Sequence, residues 1–415
     1  MKDGIIYGQT VPTPFARLPP SKKTAKKKGI KFLIVLFLAA LLFLPTHDVQ
    51  ADGSGNSLQN GLNQTVLDQI DKLDLEAIEK YVDSLGVFSG KSVGERLLDF
   101  IQGEELDYGS FFREMLSVLF ENVRKMLPSF ASITAVALLC GILSSLKSHF
   151  IGQSTSEIVF LVGFAAALIP ILAILTECFA AARASVSSMQ KQMQIVFPLL
   201  LTLMAASGGS VSAAIFRPAV AFLSTSIVSI VSSIVFPLAL TVIAFSVAGH
   251  LTPELKLNKF SAFFKSMNKW IIGVCISVFG MFFTVQGLAS AAYDGITRRA
   301  AKYAIGTGIP IVGGFLSGGF DLAVAGSVLI KNSLGSMSIF LMVTVLSEPL
   351  IALIAANLFL RLTAAVTQPI GDTRISDFLG ETADNLNYCT AGLLFVGFLY
   401  FIVIVLLICS SEVIF

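Results

Sequence analysis

The sequence is short of charge. Asp, Glu, Lys and Arg make up 13% of its 415 residues, where a soluble domain carries roughly 25%. Hydrophobic residues reach 54% and the mean hydropathy is +0.80. An ordinary water-soluble globule is excluded, and the class is a polytopic membrane protein. Histidine is nearly missing as well. His47 falls in a leader-like segment, and His149 and His250 fall in predicted loops, so no histidine centre for metal or proton chemistry is indicated. The five cysteines, 140, 178, 275, 389 and 409, form no CxxC pair. That excludes a disulfide framework or zinc site and leaves them as small packing residues. No phosphate-binding loop and no nucleophile motif is present. The net charge is +2 and the basic residues are scattered apart from one cluster, so nucleic acid is not an expected partner. Neither enzymatic activity nor a cofactor or metal is expected.

What is present starts with that cluster. Lys22, Lys23, Lys26, Lys27, Lys28 and Lys31 precede an unbroken apolar run from Phe32 to Leu44. Pro45 ends the run, and Val49-Gln50-Ala51 places small residues before a cut after Ala51. A run of 13 is short of the about 20 residues needed to span a bilayer. Residues 1–51 are therefore predicted to be a cleaved signal peptide with a basic n-region.

Residues 52–127 hold 14 acidic and 7 basic side chains, a net charge of −7. Val66, Leu67, Ile70, Ile78, Tyr81, Val82 and Leu85 recur at helical spacing, and Phe111, Phe112, Met115, Leu119, Val123 and Met126 repeat the pattern. Behind a cleaved signal this region is extracytoplasmic. It is too small to stabilise a core of its own, so it is expected to dock on the membrane domain, a partner or the lipid surface.

Residues 128–411 read as the membrane domain. Clear spans are predicted at 129–146, 158–176, 219–248, 270–292, 336–360 and 392–410, with shorter broken segments at 195–215 and 305–330. Pro237 predicts a tilt or kink in the third. The expected fold class is an all-α polytopic membrane protein with a small helical extracytoplasmic region.

The broken segments look alike. Pro198, Ser207-Gly208-Gly209, Arg217 and Pro237 are matched by Pro310, Ser317-Gly318-Gly319, Lys331 and Pro349. Both Pro-to-Pro intervals are 39 residues and the offset is 112. Residues 158–249 and 270–361 thus read as two copies of one unit: span, amphipathic connector, broken segment, Pro-containing span. Such broken repeats point to a pathway or binding site at the repeat interface. Close packing through small residues is the competing reading. Loop charge places seven basic residues on each side whether the broken segments cross or re-enter, so orientation stays open.

Ala304–Gly335 is the most unusual stretch. It contains eight glycines, among them Gly313, Gly314, Gly318 and Gly319, is interrupted by Pro310, and carries Asp321. Glu348-Pro349 lies inside a strong span, and Glu177 and Arg217 lie at segment ends. Ionisable groups at such positions are functional candidates: Asp321 and Glu348 would line a polar pathway, paired with Arg217. Interfacial snorkelling is the plainer reading for Glu177 and Arg217. The YD and GxGD pair of intramembrane aspartyl proteases is approached by Tyr293-Asp294 and Gly318-Gly319-Phe320-Asp321, but Phe320 separates the glycine from the aspartate. Two apposed carboxylates are not indicated.

The stretch from Pro310 to Gly335 resembles the stage III sporulation protein AE family of endospore-forming bacteria. The layout agrees: signal peptide, short acidic region with Glu79-Lys80-Tyr81-Val82-Asp83-Ser84-Leu85, then a multi-span domain. The resemblance covers roughly residues 65–415. It implies a component of a channel-like complex that the mother cell builds in the membrane around the forespore. Its implied partners are sibling stage III sporulation membrane proteins and a forespore-side protein, and its implied role is support of late forespore development. The alternatives are a stand-alone ion-coupled transporter using Asp321 and Glu348, and a purely structural scaffold.

Overall fold

The computed structural model describes residues 56–85, 92–102, 108–150, 153–251, 257–308, 313–369 and 373–410. The predicted signal peptide and Pro310 lie outside the described residues. Among them every regular element is helical: α1 (Asn56–Ile70), α2 (Glu76–Leu85), α3 (Val93–Gln102), α4 (Tyr108–Phe150), α5 (Gln153–Ala206), α6 (Ser210–Ile230), a π turn (Val231–Val235), α7 (Phe236–Leu251), α8 (Asn258–Gly308), α9 (Gly313–Thr367) and α10 (Thr373–Cys409). Five stretches, Phe160–Ala206, Ser210–Leu251, Asn258–Gln286, Asp321–Thr367 and Thr373–Cys409, are long and apolar enough to cross a membrane. The chain is a multi-pass helical membrane protein.

The helices are longer than the sequence segments led one to expect. The 54 residues of α5 extend ~80 Å at 1.5 Å per residue, against ~30 Å of bilayer hydrocarbon. The expected connector at 177–194 is not a separate element, because its amphipathic stripe continues the helix. Leu175, Cys178, Ala182, Val186, Met189, Met193, Val196 and Leu200 are buried at intervals of three and four, the spacing that keeps one helix face on a partner. Thr176, Glu177, Arg183, Ser187, Lys191 and Gln194 take the exposed face.

Pair contacts give the directions. Phe130 stacks on Phe359 at 4.8 Å and Thr134 meets Thr363 at 3.2 Å, so α4 and α9 run parallel. Ser185 bonds Val345 and Gln192 bonds Ser338, so α5 runs antiparallel to α9. Phe222 faces Phe279 and Ile215 faces Gln286, which sets α6 antiparallel to α8. The last helix, α10, is the centre of the bundle. It packs on α5, α7, α8 and α9, and 67% of its most apolar window is buried. Gly335 and Gly392 permit this closeness. A Cβ on Gly335 would stand 2.3 Å from Ile408 Cδ1, and one on Gly392 would stand 3.1 Å from both Phe236 and Val235.

The two matched segments break differently. In the first, α5 ends at Ser207-Gly208-Gly209, with Gly208 at φ 92, a left-handed conformation that favours glycine. In the second, Ser317-Gly318-Gly319 is helical inside α9, and residues 309–312 lie outside the described residues. The two SGG triplets are not equivalent in structure. A helix accepts glycine where neighbours fix it, and the first triplet alone has the positive-φ turn.

The prolines are accommodated locally. The π turn Val231–Val235 immediately precedes Pro237, and the Phe236 N–H reaches back five residues to the Val231 carbonyl. Widening a turn in this way relieves the clash a proline ring makes with the preceding turn. At Pro349, which is buried, the missing N–H would leave the Val345 carbonyl without its helical donor. The Ser185 hydroxyl on α5 donates to that carbonyl at 2.9 Å.

Candidate functional site

The sequence candidates do not converge. Asp321 and Glu348 are both exposed on α9 and stand 27 residues apart, which is ~40 Å along a helix. They do not form one site. Glu348 lies instead within electrostatic reach of Lys125 on α4, which also senses Glu177 and pairs with Glu121 at 2.8 Å. The Lys125–Glu121 pair is exposed, and such pairs contribute little to stability. Arg217 is exposed on α6. Gly313, Gly314, Gly318 and Gly319 belong to the first turns of α9, and Pro349 is a buried helix residue.

Ala323, Gly326 and Ser327 of α9 form a docking strip for α1. Gln69 of α1 donates from Nε2 to the Ala323 carbonyl at 3.0 Å, and Ser327 Oγ donates to Gln69 Oε1 at 3.1 Å. A Cβ on Gly326 would meet Gln69 Oε1 at 3.3 Å, so this glycine keeps the approach close. Further along, Tyr81 of α2 is buried against α5, its hydroxyl 3.0 Å from Ser188 Oγ and 3.2 Å from the Ser188 carbonyl. Burial pushes the Tyr81 phenol above its ordinary range, and the Ser188 bond pulls it partly back. The expected docking of the acidic region on the membrane domain is thereby found for α1 and α2.

Sequence reasoning missed the polar half of α10. Glu381 Oε1 accepts from Lys265 of α8 at 2.5 Å, and its Oε2 accepts from Ser246 of α7 at 2.6 Å. His250 Nδ1 stands 2.8 Å from the Ser246 carbonyl and 3.9 Å from Glu381. The carbonyl neighbour fits an Nδ1–H tautomer. One turn further along the same face, Asp384 pairs with Arg361 of α9, whose Nε donates to Asn357 Oδ1 at 2.9 Å. Asn357 Nδ2 in turn donates to the Ala383 carbonyl. Beside them on the inner face, Thr382 and Asn385 are fully buried. One short stretch of α10 thus ties α7, α8 and α9 together around itself. A signal was available: Asp377, Glu381, Asp384 and Tyr388 recur at three and four residues, a helix face, immediately before the apolar run.

At the other end of α10, Lys331 is fully buried and donates from Nζ to the Ile408 carbonyl at 2.5 Å. Carbonyls of a last helical turn lack intrahelical donors, and a cation there opposes the helix dipole. Lys331 was read from sequence only as the repeat mate of Arg217. Its role here is to cap the central helix. Among the described residues no group of three or more His, Cys, Asp or Glu is placed to hold a metal ion.

Comparison with known proteins gives a consistent picture. The model of a family described as stage III sporulation protein AE matches residues 92–411. Stage III sporulation protein AE of Bacillus subtilis (strain 168) is 24% identical over 394 residues, covering 92% of this chain and 98% of that protein. No solved structure matches.

Proposed function

The chain belongs to the stage III sporulation protein AE family, which implies a role in sporulation, and from that membership we propose that it is a non-enzymatic membrane subunit of a channel complex joining mother cell and forespore. It acts in the mother-cell membrane around the forespore, with sibling stage III sporulation membrane proteins and a forespore-side protein as partners. Its α1–α3 region faces the space between the two membranes. The observation that carries this reading is the long multi-pass bundle with an extracytoplasmic-type region docked along it through Gln69 and Tyr81. Helices of ~80 Å exceed one bilayer, as suits a subunit that projects toward partners.

The transporter alternative has less support, since Asp321 and Glu348 stand ~40 Å apart on one helix and do not share a single site.

The test is complementation in a spore-former lacking its own copy. The chain should restore heat-resistant spores, a fluorescent fusion should ring the forespore, and a tagged chain should retain sibling stage III proteins on purification. Restoration without retention of any sibling protein would reject the complex. Substrate uptake by the purified chain alone in liposomes would favour the transporter.

A further inference from the structure

The two flanks of α6 differ in character at one level of the bundle. On one flank, α5 and α6 leave a groove of about 710 Å³ whose walls include Ala180, Arg183, Ala184 and Ser187 from α5 and Thr225 and Ser229 from α6. On the other flank, α8 presents Trp270, Val274, Val278, Met281, Phe282 and Val285 outward, with Trp270 68% and Met281 73% exposed. The levels coincide. Asn268 Nδ2 donates to the Val235 carbonyl at 3.1 Å, and Phe279 meets Phe222 at 6.4 Å. Residues 268–279 of α8 therefore run beside residues 222–235, the segment whose other flank walls the groove.

The groove differs from an apolar lipid-facing surface, because Arg183, Ser187, Thr225 and Ser229 line it. Its Ala, Ser and Thr walls are the kind that let a neighbouring helix approach closely. The α8 ridge supplies the converse: bulky, apolar and protruding. Hollow and ridge belong to the same chain, at the same height, on different flanks.

We propose that the α8 ridge of one copy seats in the α5–α6 groove of a second copy of this chain. The contact is heterologous, so its repetition joins successive copies, into a ring where the rotation between them closes. Trp270 comes over Arg183 of the adjoining copy, a cation–π pairing that compensates the buried guanidinium. This contact stands independently of the channel reading, since it concerns only how copies of the chain meet.

The experiment is disulfide trapping in native membranes. Full-length chain lacking its native cysteines carries Ser187→Cys and Val274→Cys and is treated with a mild oxidant. A ladder at multiples of the chain mass is expected from the double variant, and a dimer from co-expressed single variants. Adding Ala184→Leu, at an exposed position that the fold of one copy does not use, should abolish both by filling the groove. Absence of a ladder from protein with wild-type yield and elution would overturn the proposal. So would an equal dimer from Val274→Cys alone, which would mean ridge-to-ridge packing. A spin label at position 274 reporting a lipid environment would overturn it as well.

Discussion

Ser185 and Pro349 lie on different helices, yet one completes the other. The proline removes the donor that Val345 would have had, and the Ser185 hydroxyl replaces it at 2.9 Å. Ser185→Ala should cost about 1–2 kcal/mol by leaving a shielded carbonyl without a donor. Pro349→Ala restores the N–H, so the double variant should be less destabilised than Ser185→Ala alone. Thermal unfolding of the four proteins in detergent measures the coupling, and simple additivity would refute it.

Gly335 sits where α9 meets the end of α10. Gly335→Ala should destabilise by about 1–3 kcal/mol, because its methyl would overlap Ile408. Ile408→Val in the same chain should recover part of the loss. Gly280→Ala is the control. Nothing lies within 4 Å of a Cβ there, so the substitution should be neutral or slightly stabilising through helix propensity.

Glu381 holds Lys265 and Ser246 from two other helices. Glu381→Gln should cost about 1–3 kcal/mol, a buried-pair loss reduced because both partners retain some exposure. Lys265→Met added to Glu381→Gln should be no worse than Glu381→Gln alone, since no cation is then stranded. Unfolding midpoints and heat-resistant spore counts test this in parallel.

Tyr81 offers a readout in pH. Its phenol ionises at higher pH in the folded chain than at the ordinary value of 10.0. The folded state therefore favours the neutral form, and the resulting stability is fully present below pH 10. It declines as pH rises through the raised value. Proteolytic release of the N-terminal helices should rise steeply above pH 10, and Tyr81→Phe should flatten that rise. The same substitution should cost about 0.5–1.5 kcal/mol at neutral pH through the lost Ser188 bond. A pH profile unchanged by Tyr81→Phe would assign the release to another group.

Much of the fold was legible because hydrophobic runs and their flanking polar residues report directly on membrane helices. The helical spacing of Ile78, Tyr81 and Val82 announced α2, and all three are buried. Less legible was where helices stop. The positions 177–194 carry three charged residues, Glu177, Arg183 and Lys191, which resemble a connector until their one-sided placement on a continuous helix is seen. The candidate site suffered from the same cause. Asp321 and Glu348 were judged by the apolar company they keep in sequence, whereas their surroundings depend on which face of α9 they occupy, and both occupy an outer one. Glu381 and Asn385 were overlooked because polar residues ahead of an apolar run look like a loop. Only the packing of α7, α8 and α9 around them turns that stretch into a core.

The central position of α10 bears on how the protein is made. The helix that every major neighbour leans on, Thr373–Cys409, is among the last to leave the ribosome. Until it is inserted, α5 and α9 can pack on each other, but the faces of α5, α7 and α9 that meet α10 lack that partner. Completion of the bundle then waits on the synthesis of α10. A chain cut short before Thr373 would lack the helix on which α5, α7, α8 and α9 all pack.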